Sequence, residues 1–219
     1  PEGCRLRTSK LHSCDDGSGQ PVRHRRTRNI RFDAVSPVVR PNRRYEGVWK
    51  RLGYSVIAGV DEAGRGCLAG PVVAGAVILG RQVPAGLDDS KKLSALRRET
   101  LLQLLIASDA HLAWGAAEPE EIDRINIREA SFLAMLRAID RLEKRPQALL
   151  VDGFEIPHCD FPQRHLIKGD CRSLSIAAAS IVAKVVRDNM MTELSERYPV
   201  YGFAVHKGYP TAQHREALA

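Results

Sequence analysis

The 219-residue sequence has no run of the ~18 to 20 apolar residues that a membrane span requires, and its first residues lack the apolar stretch of a secretory signal. Its five cysteines form no C-x-x-C pair, which argues against a zinc framework and favours reduced thiols. The glycines of residues 59–66 fit neither G-x-x-x-x-G-K-[ST] nor G-x-G-x-x-G, which argues against a nucleotide-binding switch or ATPase. We therefore predict a soluble, cytoplasmic protein that does not act at a membrane.

Positive charge is concentrated at one end of the chain. The formal net charge is +7, but residues 1–51 carry 13 Lys and Arg against 5 acidic residues, whereas the other 168 residues carry 20 basic and 21 acidic ones. Because residues 1–51 show no hydrophobic period, we predict a disordered extension there. It is either a basic arm that steadies nucleic acid or a segment without a specific role. One folded domain is expected over residues 52–219.

Hydrophobic patterning predicts that this domain is α/β. The β-branched runs at residues 55–60 and 72–79 indicate two buried strands, and their short Gly-rich connection suits an antiparallel return. Strands come first as a group and later alternate with helices, which favours a mixed sheet covered by helices. The other predicted elements are a helix over 93–107 capped by Ser94, a strand over 111–117, helices over 119–125 and 127–143, strands over 148–152 and 164–168, and a helix over 174–196.

Four acidic residues lie at the ends of predicted apolar segments. Asp61 and Glu62 follow the first strand, Asp152 ends a later strand, and Asp170 lies between a strand and the last helix. Open sheets bind ligands at such strand ends, and carboxylates gathered there repel each other unless a divalent cation offsets their charge. Oxygen ligands favour hard ions, so we predict Mg²⁺ or Mn²⁺ before Zn²⁺.

Phosphodiester hydrolysis is the chemistry that such a cluster favours. Two ions roughly 3.5 to 4 Å apart activate a water on one side of the phosphate and stabilise the leaving oxygen on the other. No nucleophilic side chain is needed, and no serine or cysteine has an obvious partner base. Asp188 competes as a fourth acid, but it lies well inside the last predicted helix beside Arg187, so we expect an ion pair or a solvent contact there.

Six short sequence blocks lie between residue 59 and residue 211. They are GVDEAGRG at 59–66 with LAGPVV at 68–73, LDDSKKLS at 87–94, VDG at 151–153, KGD at 168–170, SIAAASIVAK at 175–184 and HKGYPT at 206–211. Together they resemble the signature of the type 2 ribonuclease H family, or ribonuclease HII. The resemblance covers some three quarters of the chain and implies a ribonuclease H-like fold, a mixed five-stranded sheet flanked by helices.

The resemblance also implies roles for the four acids. Asp61, Glu62, Asp152 and Asp170 match the metal-binding catalytic carboxylates of the family, which hold two Mn²⁺ or Mg²⁺ ions in the catalytic complex.

Further residues match the family's substrate-binding positions. Gly64, Arg65 and Gly66 match the block that recognises the 2′-hydroxyl of a ribonucleotide, and Tyr209 matches the tyrosine that packs beside that sugar. The 2′-hydroxyl distinguishes RNA from DNA, and a glycine turn lets backbone groups approach it closely.

Two pairs of residues are candidate phosphate contacts on the residues' own chemistry. Lys91 and Lys92 precede a predicted helix and are placed to meet phosphates, although a solvated lysine pair is equally consistent with the sequence. Ser173 and Ser175 start the last helix, where they either present hydroxyl groups and helix amides to a phosphate or cap the helix.

The expected function is that of an endoribonuclease, acting as a monomer on nucleic acid. It would hydrolyse the RNA strand of RNA–DNA hybrids and cut at single ribonucleotides in duplex DNA, leaving 3′-hydroxyl and 5′-phosphate ends. The chain departs from the family pattern at both ends, since it stops at Ala219, apparently short at its C-terminus, and residues 1–51 have no counterpart. The alternative hypothesis is a truncated, catalytically impaired protein that binds RNA–DNA hybrids. Resolvases and integrases share the metal chemistry, and only the 2′-hydroxyl block argues against them.

Overall fold

The computed structural model describes residues 40–219, which form a five-stranded sheet with helices on both faces. The strands are β1 (Ile57–Ala63), β2 (Val72–Ile78), β3 (His111–Ala117), β4 (Ala148–Asp152) and β5 (Gln163–Leu166). The helices are α1 (Arg44–Arg51), α2 (Ala95–Ile106), α3 (Pro119–Asp140), α4 (Leu174–Arg197), α5 (Phe203–His206) and α6 (Ala212–Ala217). Short 3-10 turns span Ser90–Lys92, Gly169–Cys171 and Pro199–Tyr201. Within this part of the chain, no helix is both long and apolar enough to cross a lipid bilayer.

The strand order in the sheet is β3-β2-β1-β4-β5. β2 pairs antiparallel with β1 and with β3, whereas β4 pairs parallel with β1 and with β5. The predicted mixed sheet and the antiparallel return from β1 to β2 are therefore confirmed. Because β1 and β4 run in the same direction, their carboxyl ends meet at one edge of the sheet.

The sheet is buried on both faces, which explains why β2 and the first four residues of β1 are wholly apolar. Ala58 and Val60 of β1 pack into a core with α3, whereas Val77 of β2 packs into a core with α2 and α4. The backbone of α4 lies against β1, because a Cβ at Gly59 would come within 2.1 Å of the carbonyl carbon of Ser175. This close approach fixes the position of the first turn of α4 relative to the end of β1.

The helices α2, α3 and α4 begin and end close to their predicted positions, whereas α5 and α6 were not predicted. Ser94 caps α2 by accepting a hydrogen bond from the Arg97 N–H at 3.2 Å, as predicted. α3 is interrupted at Asn126, where φ is 68°, and the Asn126 side chain accepts from the N–H groups of Arg128 at 3.0 Å and Glu129 at 3.2 Å. The two helices predicted over residues 119–143 therefore correspond to two segments that Asn126 joins.

The structure corrects the predicted start of order. Residues 44–51, expected within a disordered extension, form α1, in which Tyr45 and Trp49 are 1% and 5% exposed. The two rings are four residues apart, so they lie on one face of the helix and bury it against the domain. No hydrophobic period was evident over residues 1–51, because a helix of eight residues makes only about two turns. The prediction of disorder for residues 1–39 lies outside the described residues.

Candidate active site

Three of the four predicted acids are positioned by paired strands. Asp61 and Glu62 belong to the last three residues of β1, and Asp152 is the last residue of β4. In the parallel register Val60 pairs with Val151, so Asp61 and Asp152 come next to each other at the same edge of the sheet. A strand pairing thus joins carboxylates that are 91 positions apart in the sequence.

The fourth acid, Asp170, lies in the 3-10 turn immediately before α4. The Gly169 N–H donates a hydrogen bond to Oδ1 of Asp152 at 2.6 Å, which ties this turn to the end of β4. Asp170 is only 4% exposed, and its Oδ1 accepts from the Cys171 N–H at 2.9 Å. The structure therefore brings all four predicted acids to one place.

Burial and mutual repulsion raise the pKa values of these acids. Burial places the pKa of Asp61 well above its ordinary value, and the charges of Asp152, Glu62 and Asp170 raise it further. Burial and the charge of Asp152 also raise the pKa of Glu62, although Arg65 opposes them. Burial is also the largest cause of the raised pKa values of Asp152 and Asp170. A group of carboxyls that cannot all ionise without cost favours a divalent cation.

Other polar side chains surround Asp170. Ligand atoms of Asp89, Asp170 and Cys171 lie within 4.8 Å of one another, a spacing that no three of the four predicted acids meet in the described part of the chain. The wider spacing of the four acids agrees with their mutual repulsion. The ammonium of Lys91 lies 3.8 Å from Asp170. Desolvation opposes the charge on Lys91, but Asp170 and Asp61 outweigh it and raise the pKa of Lys91.

A glycine turn follows the acids of β1, and we call residues 64–66 the ribose turn after the role that the sequence resemblance implies for them. Gly64 has a φ of +108°, a backbone conformation that side-chain-bearing residues rarely adopt. A Cβ at Gly66 would meet nothing within 4 Å, so this backbone is open to a ligand. Arg65 lies 3.5 Å from Oε1 of Glu62, and its guanidinium lies 5.5 Å from the centre of the Phe154 ring.

Tyr209 belongs to a second segment beside this turn, residues 207–209, which we call the tyrosine segment. The Leu68 N–H donates to the Gly208 carbonyl at 2.9 Å, which joins this segment to the residues that follow the ribose turn. Tyr209 is 38% exposed, and the ammonium of Lys184 lies 5.3 Å from the centre of its ring. The Tyr209 ring is therefore partly open to solvent, while the backbone next to it is held by the hydrogen bond between Leu68 and Gly208.

A sequence model of the family described as ribonuclease HII matches residues 58–219. The chain belongs to the ribonuclease HII family. Ribonuclease HII of Zymomonas mobilis is 54% identical over 168 residues, which are 74% of this chain and 78% of that protein. Ribonuclease HII of Myxococcus xanthus is 48% identical over 204 residues, or 92% of this chain and 70% of that protein.

Two solved structures of archaeal proteins share the ribonuclease HII fold described above. The ribonuclease H2 of Pyrococcus horikoshii matches with a TM-score of 0.63 and 28% identity over 74% of this chain and 84% of that one. The ribonuclease HII of Archaeoglobus fulgidus, solved in a complex with PCNA, matches with a TM-score of 0.63 and 29% identity over 74% of this chain and 86% of that one. The predicted family, ribonuclease H-like fold and enzyme class, a metal-dependent endonuclease, are confirmed.

The predicted phosphate contacts differ in their surroundings. Lys91 is 77% exposed beside the acids, whereas the Lys92 ammonium lies 3.3 Å from Asp88 and 3.4 Å from Sγ of Cys171. Both side chains remain open enough to meet a phosphate.

Ser173 and Ser175, in contrast, are 0% and 1% exposed. Their hydroxyl groups donate to Oε1 of Glu46 on α1 at 2.7 and 2.6 Å, and Ser173 also caps α4 by accepting from the Ile176 N–H. This geometry favours a structural role for both serines, with Ser173 as the helix cap, over the predicted contact with substrate. The sequence analysis missed Glu46 because it placed residues 44–51 outside the domain.

Asp188, the competing fourth acid, forms ion pairs as expected. Its carboxylate lies 2.7 Å from Lys184 and 3.3 Å from Arg98. Phe154 and Asp89 were not predicted from the sequence, although Phe154 contacts Arg65 and Asp89 accepts a hydrogen bond from the Lys91 N–H. The position of Phe154, two residues after Asp152, was a signal that could have identified it.

Proposed function

We propose that this protein hydrolyses the RNA strand of RNA–DNA hybrids and cuts at single ribonucleotides within duplex DNA. The observation that carries the proposal is the convergence of Asp61, Glu62, Asp152 and Asp170 next to the ribose turn. Catalysis and substrate recognition are thus assigned to one edge of the sheet. Acids alone would suit many nucleases, whereas the adjoining turn gives a reason for a preference for ribose.

The four acids have the donor chemistry that suits Mg²⁺ or Mn²⁺. All four offer oxygen ligands, and burial and mutual repulsion raise their pKa values even though Arg65 and Lys91 act in the opposite direction. We propose that Asp61, Glu62, Asp152 and Asp170 together hold two such ions. When bound, the ions would supply an activated water and charge stabilisation for the leaving oxygen.

The protein's own groups orient the substrate for this cut. The open backbone of Gly66 and the Arg65 side chain lie next to Glu62, where they would meet the 2′-hydroxyl and the sugar. Tyr209 would pack against the same sugar, and Lys91 would neutralise a neighbouring phosphate. A deoxyribose lacks the hydroxyl and would leave the polar groups of the ribose turn unpaired, which disfavours an all-DNA substrate.

The bonds that change in the reaction determine the ends of the products. A water oxygen bonds to phosphorus while the bond from phosphorus to the 3′ oxygen breaks, so the products carry a 3′-hydroxyl and a 5′-phosphate. The proton lost by the water passes to solvent, and the 3′ oxygen gains one.

We further propose that the enzyme acts as a monomer, since all the assigned site residues belong to one chain, and that it is cytoplasmic.

The deciding experiment is a cleavage assay on three duplexes of the same sequence. One is all DNA, one contains a single ribonucleotide, and one is an RNA strand paired with DNA. With Mg²⁺ or Mn²⁺, we expect cleavage of the second and third but not of the first. Cleavage of all three would contradict recognition of the 2′-hydroxyl, and retention of uncut hybrid would favour the impaired binding protein.

A further inference from the structure

Arg187 is a fully buried cation in the middle of α4, with 0% of its surface exposed. All three guanidinium nitrogens donate to backbone carbonyls: Nε to Pro71 at 2.9 Å, Nη1 to Lys207 at 2.9 Å and Nη2 to Ala69 at 3.1 Å. Burying a charge is costly unless its donors are satisfied, so this position selects the planar, three-pronged group of arginine.

These carbonyls belong to two separate segments of the site. Ala69 and Pro71 lie in the connection from the ribose turn to β2, whereas Lys207 begins the tyrosine segment, more than 130 residues later. Arg187 therefore connects both segments to the same point on α4. Because a guanidinium is rigid, it fixes the distance between the carbonyls that it binds.

The packing around the guanidinium leaves little freedom for either segment. A Cβ at Gly64 would lie 2.3 Å from Nε of Arg187, and a Cβ at Gly208 would lie 2.3 Å from the carbonyl oxygen of Ala69. The guanidinium carbon also lies 5.9 Å from the centre of the Tyr209 ring, within range of a cation–π interaction.

We propose that Arg187 is a positioning residue that sets the ribose turn and Tyr209 at the separation needed to hold a ribose between them. The inference rests on the proposed function and deepens it, because it assigns selectivity for the 2′-hydroxyl to a residue that does not touch the substrate. Arg187 acts through Gly64 on one side and through Lys207 and Tyr209 on the other.

The test compares binding to two duplexes that differ only in one 2′-hydroxyl. The full chain carrying Asp61→Asn, the substitution expected to prevent cutting, is titrated with a duplex containing one ribonucleotide and with the all-DNA duplex. The selectivity is the Kd for the all-DNA duplex divided by the Kd for the duplex with one ribonucleotide. We expect Arg187→Met to lower this ratio at least about fivefold, since a lost polar contact costs on the order of 1 kcal/mol or more. Arg187→Lys, which keeps the charge but has one nitrogen, should be intermediate and serves if Arg187→Met does not fold.

Arg137→Met is the matched control. Arg137 also donates to a backbone carbonyl, that of Ala116 at 2.7 Å, but on the far edge strand β3. It should leave the selectivity ratio unchanged even where it lowers stability, because a smaller folded fraction weakens both apparent affinities equally. An unchanged ratio in both Arg187 variants, with both affinities reduced alike, would overturn the proposal.

Amide hydrogen exchange separates this proposal from the proposed function. Without any nucleic acid, Arg187→Met should speed exchange at the Leu68 and Tyr209 amides, and Arg137→Met should not. A parent chain that does not distinguish the two duplexes would refute the proposed function, while this exchange pattern would still report whether Arg187 holds the two segments. Equal exchange in both variants would refute the positioning role.

Discussion

Asp61 and Asp152 lie next to each other because parallel β1 and β4 pair Val60 with Val151 one position earlier. Each carboxylate raises the cost of ionising the other, and the charge of Asp152 is the largest contribution to the raised pKa of Asp61 after burial. A repulsive pair at the buried edge of a sheet lowers the stability of the protein, so it needs a compensating charge.

Replacement of Asp61 by asparagine should abolish turnover while the fold persists. Asparagine keeps the shape of the side chain but removes the negative charge, and loss of a single electrostatic group in an active site costs on the order of 100- to 1000-fold in kcat. The assay is cleavage of the duplex with one ribonucleotide, with circular dichroism to confirm folding. Activity near that of the unmodified chain would refute the metal assignment.

The raised pKa of Asp61 should make the stability of the folded protein fall as pH rises. Its folded-state pKa is raised above 3.8, so the folded chain binds more protons than the unfolded chain above that pH, and stability falls as pH rises toward the raised value. In chelator, the Tm of the unmodified chain should therefore fall relative to that of Asp61→Asn as the pH is raised above 3.8. Glu121, whose pKa is lowered to about 2 by a hydrogen bond from Arg137, contributes equally to both proteins and cancels. Parallel curves would contradict the raised pKa.

Two alanine substitutions in the ribose turn should separate folding from substrate binding. Gly64→Ala forces a Cβ into a residue with φ +108° and to within 2.7 Å of the Pro71 carbonyl oxygen, so it should destabilise the fold by at least about 1 to 3 kcal/mol. Gly66→Ala meets nothing within 4 Å and should leave the free energy of unfolding unchanged. Denaturant unfolding measures the first effect.

Cleavage of the duplex with one ribonucleotide then measures the use of the open backbone at Gly66. We expect Gly66→Ala to lower kcat/KM at least roughly tenfold, because the added methyl group occupies the space through which a sugar would approach. Full activity in Gly66→Ala would show that the substrate does not approach this backbone.

Ser175→Ala should act on stability rather than on substrate affinity. It removes the hydrogen bond to Glu46 at 2.6 Å and leaves a buried carboxylate less satisfied, at a cost of about 1 to 3 kcal/mol. Ser180→Ala is the control, because Ser180 is also buried in α4 but bonds only within its own helix, to the Ala177 carbonyl at 2.9 Å. A weakened affinity for the hybrid without loss of stability would instead support the phosphate contact predicted from the sequence.

Substitutions of Tyr209 should reduce the preference for ribose. Tyr209→Phe keeps the ring and should retain most of the selectivity, whereas Tyr209→Ala should lose about 1 to 3 kcal/mol of discrimination, the scale of one aromatic stacking contact. Tyr198→Ala is the control, since Tyr198 is a 51% exposed aromatic residue just beyond α4. Equal selectivity in the Tyr209 and Tyr198 variants would exclude the packing role, and Arg65→Gln is expected to weaken selectivity in the same assay.

The sequence by itself determined the five strands, their order along the chain relative to the helices, and the acids at the ends of apolar segments, because these features depend on local patterns. Apolar runs of β-branched residues define β1 and β2, Ser94 caps α2, and the blocks around Asp61 and Asp170 carry the family resemblance. Each of these signals lies within a few residues of the feature that it predicts, so no knowledge of the fold was needed to find it.

Only the tertiary structure decided which distant residues serve the site. α1 packs on the domain because Tyr45 and Trp49 are buried against residues from distant parts of the chain. Glu46 of α1 then accepts hydrogen bonds from the hydroxyl groups of Ser173 and Ser175. In the sequence, Arg187 is an ordinary charged residue of a helix. In the structure, its guanidinium donates hydrogen bonds to carbonyls more than 110 residues earlier and 20 residues later in the chain. Such contacts depend on the geometry of the folded chain and leave no period in the sequence.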